Sequence, residues 1–232
     1  MQTTDVLSIL ESEKDDRGIR HWKALGTKTG GLESFGIGLT RLRKLAKRIG
    51  RDRALARDLW RTNVYDAHVV SLLIDDPKAI TRDQVEAQVE ELTAGLAHVF
   101  SSCDATLAKT DFVVELADEW IRTGNAIRRS CGYGLLYEIS KFAGRKAPPT
   151  EFFLDHVQLI DDTIDQEKSG VRLAMGTALM GIGKRDRRLN EAALAVAERV
   201  GPIEFESSGE KCDPFDVAKH LKTDRLKEKL GA

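Results

Sequence analysis

The sequence predicts an all-α fold, an α-α superhelix in which antiparallel helix pairs stack side by side into a curved solenoid. Three observations carry that expectation. Apolar residues recur with a helical period along nearly the whole chain, and the alternation of a strand is almost absent. Candidate helices of about 10–18 residues are joined by short connections, which favours antiparallel neighbours. Charge is sorted into blocks that change sign along the chain, as expected if successive helices face opposite sides of a stack.

The elements follow in order. Leu39, Leu42, Leu45 and Ala46 form one apolar stripe, with Arg41, Arg43, Lys44, Lys47 and Arg48 opposite, and Gly50 ends the helix. Arg51-Asp52 opens a second helix through Leu55, Leu59 and Trp60. Val64 to Ile74 reads as a third, ended by Asp75-Asp76-Pro77. Thr81 is an N-cap for a helix over 82–99 with an acidic exposed face. Segments 111–122 and 125–142 follow, split by Thr123-Gly124, and Pro148-Pro149-Thr150 starts a helix at Glu151. Segments 169–182 and 187–200 complete the series. Residues 202–206 read as a short extended piece, and about 213–230 as an amphipathic tail helix. With no Pro/Gly/Ser-rich linker, residues 1–232 are expected to form a single domain.

The net charge of the 232 residues is only -1, which by itself argues against a polyanion partner. By segment the picture differs. Residues 17–61 hold thirteen Lys/Arg against three acids, and 75–119 hold three bases against eleven acids. Residues 122–146 hold six bases against one acid, 151–167 hold six acids and no Lys or Arg, and 168–188 hold six bases against one acid. A neutral chain can thus present a strongly basic face, and local field rather than net charge governs association. The blocks recur at roughly 40–50 residues, near the period of HEAT-type helical repeats. No apolar run approaches a membrane span, and the N-terminus lacks the pattern of a secretory signal. Three widely spaced cysteines, with no CxxC or His/Cys cluster, indicate neither a disulfide framework nor a zinc site. A reducing cytoplasm, a monomer, and no membrane partner are the expectations.

Several residues invite a functional reading beside a plainer one. Arg128-Arg129 precede a helical Gly132-Tyr133-Gly134, where mid-helix glycines cost about 1 kcal/mol each relative to alanine and mark a close approach, by a helix or by a ligand. Gly181-Ile182-Gly183-Lys184-Arg185 is a glycine C-cap followed by cations, which the helix macrodipole favours; a phosphate contact is the sharper alternative. Thr27 to Gly38 is glycine-rich but has no GxxxxGK[ST] pattern, so a flexible connection is expected. Asp104, as a lone carboxylate, is by default an N-cap. Asp161, Asp162 and Asp165 read as a solvated acidic face rather than a metal site.

Taken together these segments resemble the bacterial DNA alkylation repair family of the AlkD type, built from HEAT-like repeats. The resemblance covers about Gly36 to the C-terminus. It runs from FGIGLTRLRKLAKRIGRDRALARDLW through SCDATLAKTDF, DEWIRTGNAIRRS and ALMGIGKRDRRLN to VGPIEFESSGEKCDPFDVAKHL. It implies N-glycosidic cleavage of cationic alkylated purines, with duplex DNA held against the concave surface. The family's site has an Asp, an Arg and two Trp. Asp104 matches the catalytic Asp and Arg129 the phosphate-contacting Arg, while Phe100 and Thr177 stand where the two Trp are expected. Loss of a cationic base develops oxocarbenium character that a carboxylate stabilises, and aromatic faces hold the cationic nucleotide. Phe100 keeps a ring and Thr177 keeps none.

The expectation is therefore a DNA-binding protein of this family with DNA glycosylase activity. Asp104 would be the catalytic carboxylate, Phe100 and Thr177 the base-contacting positions, and Arg129 a phosphate clamp. Arg128, Arg172, Lys184, Arg185, Arg43, Lys44 and Lys47 would add contacts to double-stranded DNA. No metal or organic cofactor is implied. The alternatives are a non-catalytic HEAT-repeat protein that binds DNA shape or damage, and a protein-binding helical scaffold.

Overall fold

A computed structural model describes residues 1–92, 96–204 and 213–231. The chain divides into two compact units, Met1–Asp111 and Phe112–Ala232. Among the described residues secondary structure is helical apart from two isolated bridges, Glu33 with Val64 and Ile203 with Phe215.

The first unit begins with two helices that lie ahead of the recognised stripe, α1 (Thr3–Ser12) and α2 (Asp16–Ala24). Asp15 caps α2 by accepting from Gly18 N at 3.0 Å. Then come α3 (Leu39–Ile49), α4 (Arg53–Trp60), α5 (Tyr65–Ile74), α6 (Arg82–Glu91) and α7 (Leu96–Phe100). Asp52 and Thr81 cap α4 and α6 through the amides of Leu55 and Gln84. The expected helix over 82–99 is interrupted: α6 ends at Glu91, Leu92 turns to extended backbone, and 93–95 lie outside the described residues.

α5 is the centre of this unit. Apolar residues lie around its whole circumference, with Asp66, His68 and Ser71 set among them, and a helix of that kind is stable only when enclosed. Nine of its ten residues are buried, against α1, α3, α4 and α7. The polar ones find partners inside the unit: Ser71 Oγ donates to Ala56 O at 2.7 Å, and Asp66 receives the chain that precedes α3. Its carboxylate accepts from Ser34 Oγ (2.8 Å), Phe35 N (2.8 Å) and Ile37 N (2.9 Å). The glycine-rich stretch 27–38, expected to be flexible, is therefore pinned. A 3₁₀ turn at Gly26–Thr29 begins it, and Tyr65 N donating to Glu33 O at 2.8 Å closes it onto α5.

His68 of α5 is nearly buried, stacked on Trp60 with ring centres 4.6 Å apart, near His98 at 5.7 Å. Its Nε2 meets Thr62 O at 2.8 Å and so carries the proton, while Nδ1 is buried without a hydrogen-bond partner among the described residues. Burial holds its pKa below the ordinary 6.5, opposed by the Thr62 bond and by Glu91. The unfolded chain then takes up a proton that the folded chain refuses. This stability is present above pH 6.5 and is lost as pH falls below it. His156 of the second unit, whose pKa burial also lowers, acts in the same direction. The urea midpoint is expected to fall with pH below 6.5, with a weaker dependence in His68→Gln; a midpoint flat in pH would contradict the assignment.

The second unit contains α8 (Val113–Ile121), α9 (Ala126–Ile139), α10 (Thr150–Thr163), α11 (Ser169–Ile182) and α12 (Arg187–Val200). Asn125 caps α9, accepting from the amides of Ile127 and Arg128, and Asp186 caps α12 through Leu189 N. α9 packs between α8 and α11, and glycines make both approaches close. A Cβ on Gly132 would lie 2.9 Å from Ile121 N and 3.1 Å from Ala117 O, and one on Gly181 would lie 2.5 Å from Ser140 Oγ. Helix packing thus accounts for Gly132, the plainer of the two readings. Gly132→Ala is expected to destabilise the protein by about 1–3 kcal/mol in urea unfolding, because the atoms it meets include α8 backbone that cannot rotate away.

The tail departs from the single helix expected over 213–230. Lys222 and Thr223 break it into α13 (Val217–Leu221), capped by Asp216, and α14 (Asp224–Leu230). The expected extended piece at 202–206 appears as Ile203 bridging Phe215, and its residues 205 and 206 lie outside the described residues. Asp161 and Asp165 each lie 2.6 Å from Arg199, and no acidic or His/Cys group among the described residues could hold a metal ion. Cys103 and Cys131 are buried and not joined in a disulfide; Cys212 lies outside the described residues. No described helix is long and apolar enough to cross a membrane.

Candidate functional site

Asp104 does not cap a helix. It stands inside a π-helical turn, Ser101–Thr106, that directly continues α7 after Phe100. A π turn puts one extra residue into the ladder, and such turns recur at functional sites. Its outer carbonyl is held from a distance: Arg51 Nη2 donates to Ala105 O at 2.7 Å, while Arg51 Nη1 reaches Asp75 O (2.6 Å) and Leu73 O (3.0 Å) at the end of α5. Thr106 Oγ1 donates back to Ser102 O at 3.0 Å. Both contacts brace the turn that carries Asp104.

The two oxygens of that carboxyl are not equivalent. Oδ2 lies 2.6 Å from Arg43 Nη2, with the Asp104 side chain 29% and the Arg43 side chain 40% exposed. Oδ1 is buried and accepts no hydrogen bond from the described residues. A buried carboxylate oxygen without a donor is uncommon and calls for a reason, catalysis among them. Arg43 comes from α3, whose Leu42, Leu45 and Ala46 face the core. Lys44 and Lys47 of the same helix are exposed. Arg43 and Asp104 were each singled out by sequence, and the fold brings them together. Phe100 is half-buried at the end of α7.

In the second unit Arg129 is enclosed. Its Nη2 donates to Glu167 Oε2 (2.9 Å), its Nη1 to Thr123 O (2.9 Å), and its Nε lies 2.7 Å from Glu167 Oε1 but with the N–H off line. Arg128 places its guanidinium 5.8 Å from the centre of the Trp120 ring. Arg172 is half-buried on α11 with its Nε unpartnered. Thr177 turns its hydroxyl back on its own helix, to Leu173 O at 2.9 Å. Arg185 is structural: Nη1 donates to Ser140 O and, at 3.1 Å, to Phe142 O, with the guanidinium 4.3 Å from the Phe153 ring centre. Lys184 is half-buried beside it.

Three residues that matter here escaped the sequence: Arg51, Glu167 and Asp66. Each acts on a partner 29 to 54 residues away, and no spacing rule connects them.

Helical stacks serve as scaffolds and as binding surfaces alike, so the fold by itself names no role. Comparison narrows this. Residues 6–205 match the model of the DNA alkylation repair enzyme family, and the chain belongs to that family. It is similar to an uncharacterized protein of Listeria innocua, 23% identical over 203 residues covering 84% of each chain. An uncharacterized protein of Listeria monocytogenes is 24% identical over 207 residues, covering 85% of this chain and 86% of that one. Among solved structures, it is similar to one reported as a new family of proteins related to the HEAT-like repeat DNA glycosylases with affinity for branched DNA structures. That likeness has a TM-score of 0.80 at 22% identity, covering 100% of this chain and 97% of the other. It establishes the HEAT-like helical fold.

Proposed function

We propose that the protein binds duplex DNA and cleaves the N-glycosidic bond of positively charged alkylated purines, with Asp104 as its catalytic carboxylate. The observation that carries this is the asymmetric Asp104 pair: Arg43 holds Oδ2 while Oδ1 is buried and accepts no hydrogen bond from the described residues. In such a reaction the bond between sugar C1′ and the base breaks, its electrons neutralise the departing cationic base, and water adds to C1′ with loss of a proton. Oδ1 would stabilise the developing oxocarbenium ion and orient that water. Arg43, Lys44, Lys47, Arg128, Arg129, Arg172 and Lys184 would contact phosphates, Phe100 and Thr177 the base; Arg185, committed to carbonyls, supports the framework. Action in the cytoplasm as a monomer, without metal or cofactor, fits this reading. Release of 7-methylguanine or 3-methyladenine from methylated duplex DNA above the spontaneous rate would support it; no release would overturn it.

A second reading, binding without cleavage, is favoured by Thr177, whose hydroxyl closes on its own helix and offers no ring, and by the affinity for branched DNA reported for the structural neighbour. It expects binding to branched and linear duplexes that weakens steeply with salt. Both readings bear on Arg129. If it clamps a phosphate, Glu167 competes for it, so Glu167→Gln is expected to tighten duplex binding about threefold to tenfold in a fluorescence titration. Unchanged or weaker binding would make the Arg129–Glu167 pair purely structural.

A further inference from the structure

The second unit carries a cleft of about 580 Å³ where α9 and α11 end and α14 closes over them, lined among others by Tyr137, Phe142, Gly144, Lys184, Asp186 and Lys229. Of its charged lining residues, four are cations and only Asp186 is an acid. Most already have work. Asp186 caps α12, and Arg185 holds the carbonyls of Ser140 and Phe142. Lys141 Nζ pairs with Glu138 Oε1 at 2.6 Å and lies 4.0 Å from the Tyr137 ring centre. Lys229 Nζ, from the tail, donates to Lys184 O at 2.9 Å.

The carbonyl ends of the helices therefore account for Arg185 and Lys229. They do not account for the Lys184 ammonium. It is half-buried, it has no ion pair among the described residues, and the charge that bears on it is the Lys229 ammonium. Burial first, and that neighbour second, depress its pKa. Two cations line one cleft whose acid, Asp186, is turned to capping α12; this raises the free energy of the empty site, and an anion that accepts from both removes that cost.

We propose that this cleft binds a phosphate group, with Lys184 and Lys229 as its two cationic contacts, so that the tail helix α14 completes a site the body of the protein only half builds. The phosphate is either a DNA backbone phosphodiester, in which case the site extends the DNA-binding reading, or a free phosphate.

The test uses the full chain, the single variants Lys184→Gln and Lys229→Gln, and the double variant. Inorganic phosphate is titrated calorimetrically at constant ionic strength, and duplex DNA binding is measured against salt. The wild type is expected to bind phosphate, and the double variant about tenfold or more weakly. The unfolding midpoint of Lys184→Gln should stay the same or rise, because the amide relieves repulsion; a midpoint that falls marks Lys184 as structural and overturns the proposal. If the phosphate belongs to DNA, the salt slope of duplex binding drops by about 1 for each lysine removed. An unchanged slope with lost phosphate binding assigns the cleft to free phosphate. Wild-type protein that binds phosphate but no DNA would sink the DNA reading and leave the cleft standing. Phosphate binding equal in wild type and double variant, or no phosphate binding together with an unchanged DNA slope, would overturn the proposal.

Discussion

Asp66→Ala is expected to destabilise the first unit by about 3 kcal/mol or more. The carboxylate is fully buried on the central helix α5 and accepts from Ser34 Oγ, Phe35 N and Ile37 N. Desolvation raises its pKa, and the three donors pull it back down. Removing the carboxylate leaves two backbone amides and a hydroxyl beneath the protein surface without acceptors, and each unsatisfied buried donor costs about 1–3 kcal/mol. Asp66→Asn keeps one acceptor and should fall between the two. Urea unfolding followed by the fluorescence of Trp22, whose Nε1 donates to Leu32 O at 2.9 Å in the pinned segment, reports the change. A loss of under about 1 kcal/mol would mean that 27–38 is not held by Asp66.

Asp104→Asn should leave the fold intact and remove base release. The pair with Arg43 is about a third exposed, so breaking its charge costs little stability, under about 1 kcal/mol. Among the described residues, Oδ1 accepts no hydrogen bond that the substitution could break. The developing positive charge on the sugar, in contrast, loses its counter-charge, and removing one such group lowers a rate by about 10²–10³-fold. Arg43→Gln separates orientation from charge. It retains the Asp104 carboxylate but frees Oδ2, and its smaller loss of rate should come with weaker, less salt-sensitive DNA binding.

Much of the fold could be read in advance because it is local. The α3 stripe, the helix opening at Arg51-Asp52, the cap Thr81, and the breaks at Gly50 and at Asp75-Asp76-Pro77 are written within one or two turns of the residues they affect. What failed depends on contacts far along the chain. The stretch 27–38 reads as flexible because its anchor, Asp66, lies about thirty residues on. The tail reads as one helix because its periodicity runs through Lys222-Thr223, where the helix nonetheless breaks.

The candidate site divides in the same way. Asp104 and Arg43 were found as residue types, but the π turn that lifts Asp104 out of a capping role, and the Arg51 contact that secures it, have no signature in spacing. Arg129 was found and its partner Glu167 was not, so a residue expected to clamp phosphate proves to hold a carboxylate first. The blocks of charge pointed to basic helices correctly, yet Arg185 shows that a cation in a basic block can serve carbonyls instead.

Asp104 is proposed to make this protein an enzyme. The measurement that meets it directly is single-turnover release of 7-methylguanine from duplex DNA by wild type and by Asp104→Asn, with DNA affinity measured in the same buffer. The expected result is release by wild type above the spontaneous rate, background release by Asp104→Asn, and equal affinity for DNA. Background release by wild type, or equal release by both proteins, would contradict it.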